Sequence, residues 1–170
     1  MSVGDVVYAA YARRVARQLK PAGIPRHVGV MLDGNRRWAK ERGGSTAQGH
    51  QAGADNIANL LSWCEEIGVE VVTLWLLSTD NLARPAGELR PLLGIIERAV
   101  TDLADAGRWR IHPVGALDLL PVETAQVLKA AADSTRDVDG MLVNVAVGYG
   151  GRREIADAVR SLLQEHARAG

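Results

Sequence analysis

Between His27 and Trp38 the chain reads HVGVMLDGNRRW, an apolar run that stops abruptly in an acid, a glycine, an amide and two arginines. That set suits a phosphate or diphosphate. Gly34 lets the backbone approach a ligand closely, Asn35 can cap a following helix whose first N–H groups lack partners, and Arg36 and Arg37 bring positive charge on forked donors. Asp33 would be repelled by such an anion unless a cation lies between them. Mg2+ fills that role, held by one or two carboxylates and by phosphate oxygens. Asp-Gly-Asn alone is an ordinary turn sequence, so the signal is the acid together with the arginines. A second polar cluster, Ser78, Thr79, Asp80 and Asn81 with Arg84 close behind, follows another apolar run, Val69 to Leu77.

For the two clusters to meet, Val28–Leu32 and Val69–Leu77 must be strands that end at the same rim, where ligands bind in open α/β sheets. The second run is nearly continuous apolar sequence, which predicts a central parallel strand covered on both faces. Between them, Lys40 to Gln48 is polar with adjacent Gly43 and Gly44 and predicts a mobile loop, placed as a lid would be. Ala54, Ile57, Leu60, Leu61, Cys64 and Ile67 then fall at helical spacing and predict one helix over about 51–67, stopped by Gly68. Further on, the pattern predicts helices over 87–106, 121–132 and 152–167 and strands over 109–114 and 141–147. Strand and helix alternate, so the expected fold is α/β, a parallel sheet flanked by helices. The run Gly148-Tyr-Gly-Gly-Arg-Arg-Glu lacks the G-x-G-x-x-G spacing and predicts a tight turn rather than a phosphate cradle. Residues 1–24 are set apart as an N-terminal amphipathic helix, helical over 4–20 with Tyr8, Tyr11, Val15 and Leu19 on one side. Packing of that stripe on the domain or on a second subunit is favoured over peripheral contact with an anionic membrane. Residues 25–170 form the α/β domain.

Composition narrows the field. Lys and Arg balance Asp and Glu at 20 each over 170 residues, so no global charge points to nucleic acid. Residues 1–50 nevertheless hold nine Lys/Arg against three Asp/Glu, and 51–170 hold eleven against seventeen, so positive charge gathers beside the proposed anion corner. The lone Cys64 cannot form an internal disulfide and reads as a small core residue. No stretch is apolar enough to span a bilayer, and charges at Asp5, Arg13, Arg14 and Arg17 interrupt any secretory leader. The expectation is a soluble, cytoplasmic protein.

Three strings, DGNRRWA (33–39), GHQAG (49–53) and STDNLARP (78–85), together resemble the cis-prenyltransferases, the undecaprenyl diphosphate synthase family, with the likeness running from about Pro25 to the end. The resemblance implies joining an allylic diphosphate of the geranyl or farnesyl class to isopentenyl diphosphate, with a new cis double bond and release of pyrophosphate. By that likeness Asp33 is the catalytic, Mg2+-associated acid. Gly34, Asn35, Arg36, Arg37, Trp38 and His50 match the diphosphate pocket, although His50 by itself reads as a surface histidine on a polar loop. Ser78, Thr79, Asp80, Asn81 and Arg84 match the group beside the reacting carbons. Asn81 is implicated in proton removal, and because an amide is a poor base it would orient a better acceptor. Leu76 stands where long-chain members carry a small residue, which implies a short-chain product. The Tyr-Gly-Gly-Arg string at 149–152 also has a family counterpart.

The chain departs from the family pattern at Thr46, Asp80 and Leu82, where arginine, glutamate and tryptophan are usual, and these changes bear on diphosphate grip and substrate choice. The family pattern continues beyond Gly170 through an Arg-x-x-x-x-Arg-x-Ser cluster for isopentenyl diphosphate, a metal-holding glutamate, further strands and much of a homodimer surface. The expectation is therefore a donor half-site with C-terminal strands absent. Two alternatives stay open: a noncatalytic or truncated member that binds prenyl diphosphate or a partner subunit, and an acceptor-independent enzyme acting on one allylic diphosphate.

Overall fold

The computed structural model describes residues 3–19 and 23–169. Its order is α1 (Val3–Gln18), β1 (His27–Met31), α2 (Asn35–Glu41), α3 (Thr46–Asp55), α4 (Ile57–Glu66), β2 (Val71–Ser78), α5 (Ala86–Asp105), β3 (Arg110–Val114), α6 (Val122–Ser134), β4 (Leu142–Tyr149) and α7 (Gly151–Ala169), with single 3-10 turns at Asp80–Ala83 and Leu117–Leu119. The four strands form one parallel sheet in the order β1-β2-β4-β3. All strands therefore finish at one rim, and β1 and β2 are neighbours paired from His27↔Val71 to Met31↔Trp75. The strand-end acid and the serine-asparagine cluster are brought together by this pairing.

The core is one cluster on one face of the sheet. Val72, Leu74 and Leu77 from β2 and Val143, Val145 and Val147 from β4 pack with Leu61 of α4, Val100 of α5 and Leu128 of α6. Thr135 is 1% exposed yet fully paired: its Oγ1 accepts the Ile111 N–H at 3.0 Å and donates to the Ala131 carbonyl at 2.7 Å, tying α6 to β3. Cys64 is buried as expected, and burial pushes its thiol pKa up.

Four expectations need correction. First, β2 is covered on one face only: Val71, Thr73 and Trp75 on the other face are half-buried, because the helices contributing to the core, α4, α5 and α6, all lie on the opposite side. Second, the segment 40–48 is not a loop. It holds the end of α2, a turn at Arg42–Ser45 and the first turn of α3, where Ser45 Oγ accepts the Gln48 N–H and Gln48 Oε1 accepts the Ser45 N–H. This reciprocal capping box satisfies helix-start donors that a loop would leave to water. Third, the helix over 51–67 is two helices that meet at Asn56; apolar spacing carries across the break and so hid it. Fourth, the α1 stripe does not pack on the domain: within the single chain Tyr8, Tyr11 and Val15 are 59%, 65% and 39% exposed. Lys20, the last residue expected in that helix, lies outside the described residues.

Among the described residues no helix is long and apolar enough to cross a membrane.

Candidate active site

Beyond β1 the chain turns at Gly34, whose φ of 85° lies in the left-handed region, a conformation open to glycine at little cost. Gly34 takes the N-cap position of α2, so Asn35 is not the cap. Its amide instead donates from Nδ2 to the Leu32 carbonyl at 3.2 Å. Asp33 Oδ1 accepts the Gly34 N–H at 2.6 Å, and its second oxygen has no hydrogen-bond partner among the described residues. The turn thereby aims one carboxylate and two arginines at the rim.

The α3 helix crosses beneath this turn at very short range. A Cβ at Gly49 would overlap the Asn35 carbonyl oxygen, and one at Gly53 would stand 2.7 Å from Asn35 Oδ1. The glycines of the GHQAG string are thus contact points, and His50 between them reaches the cleft. His50 Nε2 is buried with no hydrogen-bond partner among the described residues. Burial, and then the charges of Arg84 and Arg36, lower its pKa below the ordinary 6.5, while Glu88 opposes this. The ring is held neutral, with one buried nitrogen unsatisfied.

At the end of β2 the register slips between Trp75 and Leu77, leaving Leu76 as the extra residue of a bulge. A bulge re-aims side chains beside a site, and Trp75, Leu76 and Ser78 all line the cleft. Ser78 Oγ accepts the Asn81 N–H at 3.2 Å. Asn81 Oδ1 accepts both Nε and Nη2 of Arg84, at 3.2 and 2.9 Å. Arg84 Nη1 pairs with Glu88 at 2.9 Å, and Arg36 Nη1 lies 3.8 Å from the same carboxylate oxygen.

One cleft of about 590 Å³ gathers Asp33, Gly34, Asn35, Arg36, Arg37, His50, Leu76, Ser78, Asn81 and Arg84. Its inner wall is apolar, made by Ala54, Ile57, Leu92, Ile95, Ile96 and Ala99. A cationic mouth with an apolar interior fits an amphiphile whose head is a strong anion and whose tail is hydrocarbon.

Three expected residues are not in this cleft. Trp38 lies on the other side of Asn35, in a shallower hollow, with the Arg42 guanidinium 4.6 Å above its ring. Thr79 is packed against Gly150, where a Cβ would overlap its Oγ1, and its N–H bonds to the Tyr149 carbonyl at 3.0 Å. Asp80 is exposed at the start of the 3-10 turn. The Gly148–Gly151 run, expected as a tight turn, is instead a direct strand-to-helix junction, with Gly148 and Tyr149 ending β4, Gly151 opening α7 and Gly150 alone between them; Gly148 has φ 67°, and a Cβ there would come within 3.0 Å of the Ala116 carbonyl. Sequence reasoning missed Glu88. Its signal was the i,i+4 spacing from Arg84, which sets opposite charges side by side on one turn.

Among the described residues no group of three or more His, Cys, Asp or Glu gathers around a point, so these side chains alone build no metal cage. A single carboxylate with an oxygen to spare at the mouth of an anion cleft still fits Mg2+, which keeps water and phosphate ligands in place of a full set of side chains. Asp33 is the residue that would hold it.

The prenyltransferase family model described as undecaprenyl diphosphate synthase matches residues 31–170. The chain is 63% identical to (2Z,6E)-farnesyl diphosphate synthase of Thermobifida fusca over 165 residues, covering 96% of this chain and 65% of that protein. It is 62% identical to isoprenyl transferase 1 of Streptomyces avermitilis over 153 residues, covering 90% of this chain and 60% of that protein. Among solved structures, lavandulyl diphosphate synthase from Lavandula x intermedia, in complex with dimethylallyl diphosphate, matches with a TM-score of 0.81 at 30% identity, over 86% of this chain and 64% of that chain. The chain thus spans less than two thirds of the length of these relatives. With the family model covering all but the first 30 residues, the chain belongs to the undecaprenyl diphosphate synthase family, the cis-prenyltransferases.

Proposed function

We propose that this chain elongates an allylic diphosphate of the geranyl or farnesyl class with isopentenyl diphosphate to a short cis-prenyl diphosphate. The observation that carries the reading is the composition of one cleft: Asp33, three arginines, His50, Ser78 and Asn81 at the mouth, hydrocarbon side chains within. In the reaction the allylic C–O bond breaks, the alkene of isopentenyl diphosphate supplies the electrons of the new C–C bond, a proton is lost from that unit, and pyrophosphate leaves.

Arg36, Arg37 and Arg84 take the diphosphate oxygens by charge-assisted hydrogen bonds, stronger than those a neutral donor makes. Asp33 would hold Mg2+, which when bound stabilises charge developing on the departing diphosphate. The apolar wall seats the prenyl tail and keeps water from the electron-poor allylic carbon. Neutral His50 offers its buried nitrogen as a partner to the head group. Asn81, with its carbonyl oxygen occupied by Arg84, turns its amide donors to the cleft and orients the acceptor of the lost proton. The names of the relatives that make farnesyl-length products, together with the branched side chain of Leu76 in the tail cavity, support a short product.

The test is incubation of the purified chain with labelled geranyl or farnesyl diphosphate, with and without isopentenyl diphosphate and Mg2+. An elongated product that requires both additions is expected. Binding without turnover, or consumption of the allylic substrate without isopentenyl diphosphate, would replace this reading with a binding role or an acceptor-independent reaction respectively.

A further inference from the structure

We infer that Glu88 is a positioning residue for the reaction, acting through Arg84 to fix which end of the Asn81 amide faces the cleft. The proposal rests on the function above for its kinetic part, and on hydrogen-bond geometry for the rest.

A guanidinium carries only donors, so the Asn81 atom facing Arg84 Nε and Nη2 at 3.2 and 2.9 Å is the carbonyl oxygen and cannot be the amide nitrogen. With Oδ1 taken twice, the Asn81 N–H2 group is the end left for a substrate. The fork makes this assignment only while the guanidinium plane stays turned to Asn81. Arg84 has one donor edge on Asn81 and Nη1 on Glu88 at 2.9 Å, so the two partners hold it from both sides. The pair is substantially withdrawn from solvent, at 18% and 29% side-chain exposure, and is less screened than a surface ion pair.

The backbone makes the arrangement possible. Glu88 sits in the first turn of α5, directly after Pro85, and the Glu88 N–H bonds to the Pro85 carbonyl at 2.9 Å. The i,i+4 spacing then lays the carboxylate beside Arg84. Glu88 also lies 3.8 Å from Arg36 Nη1, so one carboxylate steadies arginines from two different elements. It stands behind them and is not among the residues lining the cleft.

Two measurements test this. The first needs no turnover: the side-chain amide signals of Asn81 are followed by 15N-edited NMR in wild type, Glu88→Ala, Glu88→Gln and Arg84→Ala. Glu88→Ala should move the Asn81 signals toward those of Arg84→Ala, and Glu88→Gln, which keeps an acceptor at the same reach, should move them less. Unmoved Asn81 signals in Glu88→Ala would overturn the proposal. The second is kinetic. Glu88→Ala should lower kcat by about tenfold, the scale of one lost charged hydrogen bond expressed in the transition state, with a smaller change in KM and partial recovery in Glu88→Gln. In an Arg84→Ala background the same change should have little further effect. An equal fall in both backgrounds, or a rise in KM alone, would overturn it. Should wild type fail to elongate any allylic diphosphate while the NMR outcome holds, the reaction assigned above fails and the Glu88–Arg84–Asn81 linkage stands.

Discussion

Gly53 lies against Asn35 so closely that a methyl group at position 53 would stand 2.7 Å from Asn35 Oδ1 and 2.9 Å from Nδ2. Real Cβ atoms do not approach this near, so Gly53→Ala must push the amide away from its bond to the Leu32 carbonyl. We expect a loss of about 1–3 kcal/mol in stability, as for other overpacked sites, and weaker pyrophosphate binding because the anion corner is displaced with Asn35. In an Asn35→Ala background the glycine substitution should cost far less, since its clash partner is gone. Thermal melting of the four proteins checks this.

His50 gives a pH signature. Its pKa is depressed, first by burial and then by Arg84 and Arg36, so the folded protein prefers the neutral ring. The stability this provides is full above the ordinary value of 6.5 and is lost as pH falls through the lower folded-state pKa. Melting temperature should therefore drop more steeply on acidification for wild type than for His50→Gln. An anion placed in the cleft opposes the arginines and raises the His50 pKa, so pyrophosphate binding near pH 6 should take up protons in wild type, and less in His50→Gln. Calorimetry in buffers of differing ionisation enthalpy reads this difference.

Leu76, the extra residue of the β2 bulge, projects into the tail cavity. Leu76→Ala opens that space and should lengthen the product, as seen by mass spectrometry of the dephosphorylated prenols. The stability cost should be up to about 2 kcal/mol, the low end for such truncations, because the side chain is only half-buried. An unchanged product distribution would return Leu76 to simple packing.

Asn81→Ala should reduce kcat by about a hundredfold, on the scale of a lost group that assists proton transfer, with a much smaller effect on KM for the allylic diphosphate. Equal losses in both parameters would mark Asn81 as part of the turn alone. Steady-state kinetics separate the two outcomes.

The strand ends could be read directly from the residues, because a long apolar run that stops at an acid has few other meanings in an alternating strand–helix chain. That the two polar clusters share a rim was legible as well, but that β1 and β2 are neighbours was not, because every strand of a parallel sheet ends at that rim. The break at Asn56 could not be read so, because Ile57, Leu61 and Cys64 are buried in the same core that the unbroken pattern predicts. Gly43 and Gly44 suggested a loose segment, yet Ser45 and Gln48 carried the capping signal that organises it. Trp38, Thr79 and Asp80 sit inside site-like strings, but a side chain's direction at a turn depends on local dihedrals that spacing does not encode. Glu88 was missed because a carboxylate is unexpected beside an anion site; its meaning appears only when two arginines are seen sharing it.

Since the four strands are parallel, the segments that precede them, such as Gly107 before β3 and Asp137–Asp139 before β4, emerge on the rim opposite the cleft. Asp137 and Asp139 are exposed. A dye, affinity handle or surface tether attached there would leave the entrance for lipid-like ligands clear, so that side offers a grip for single-molecule or immobilised assays of the molecule at work.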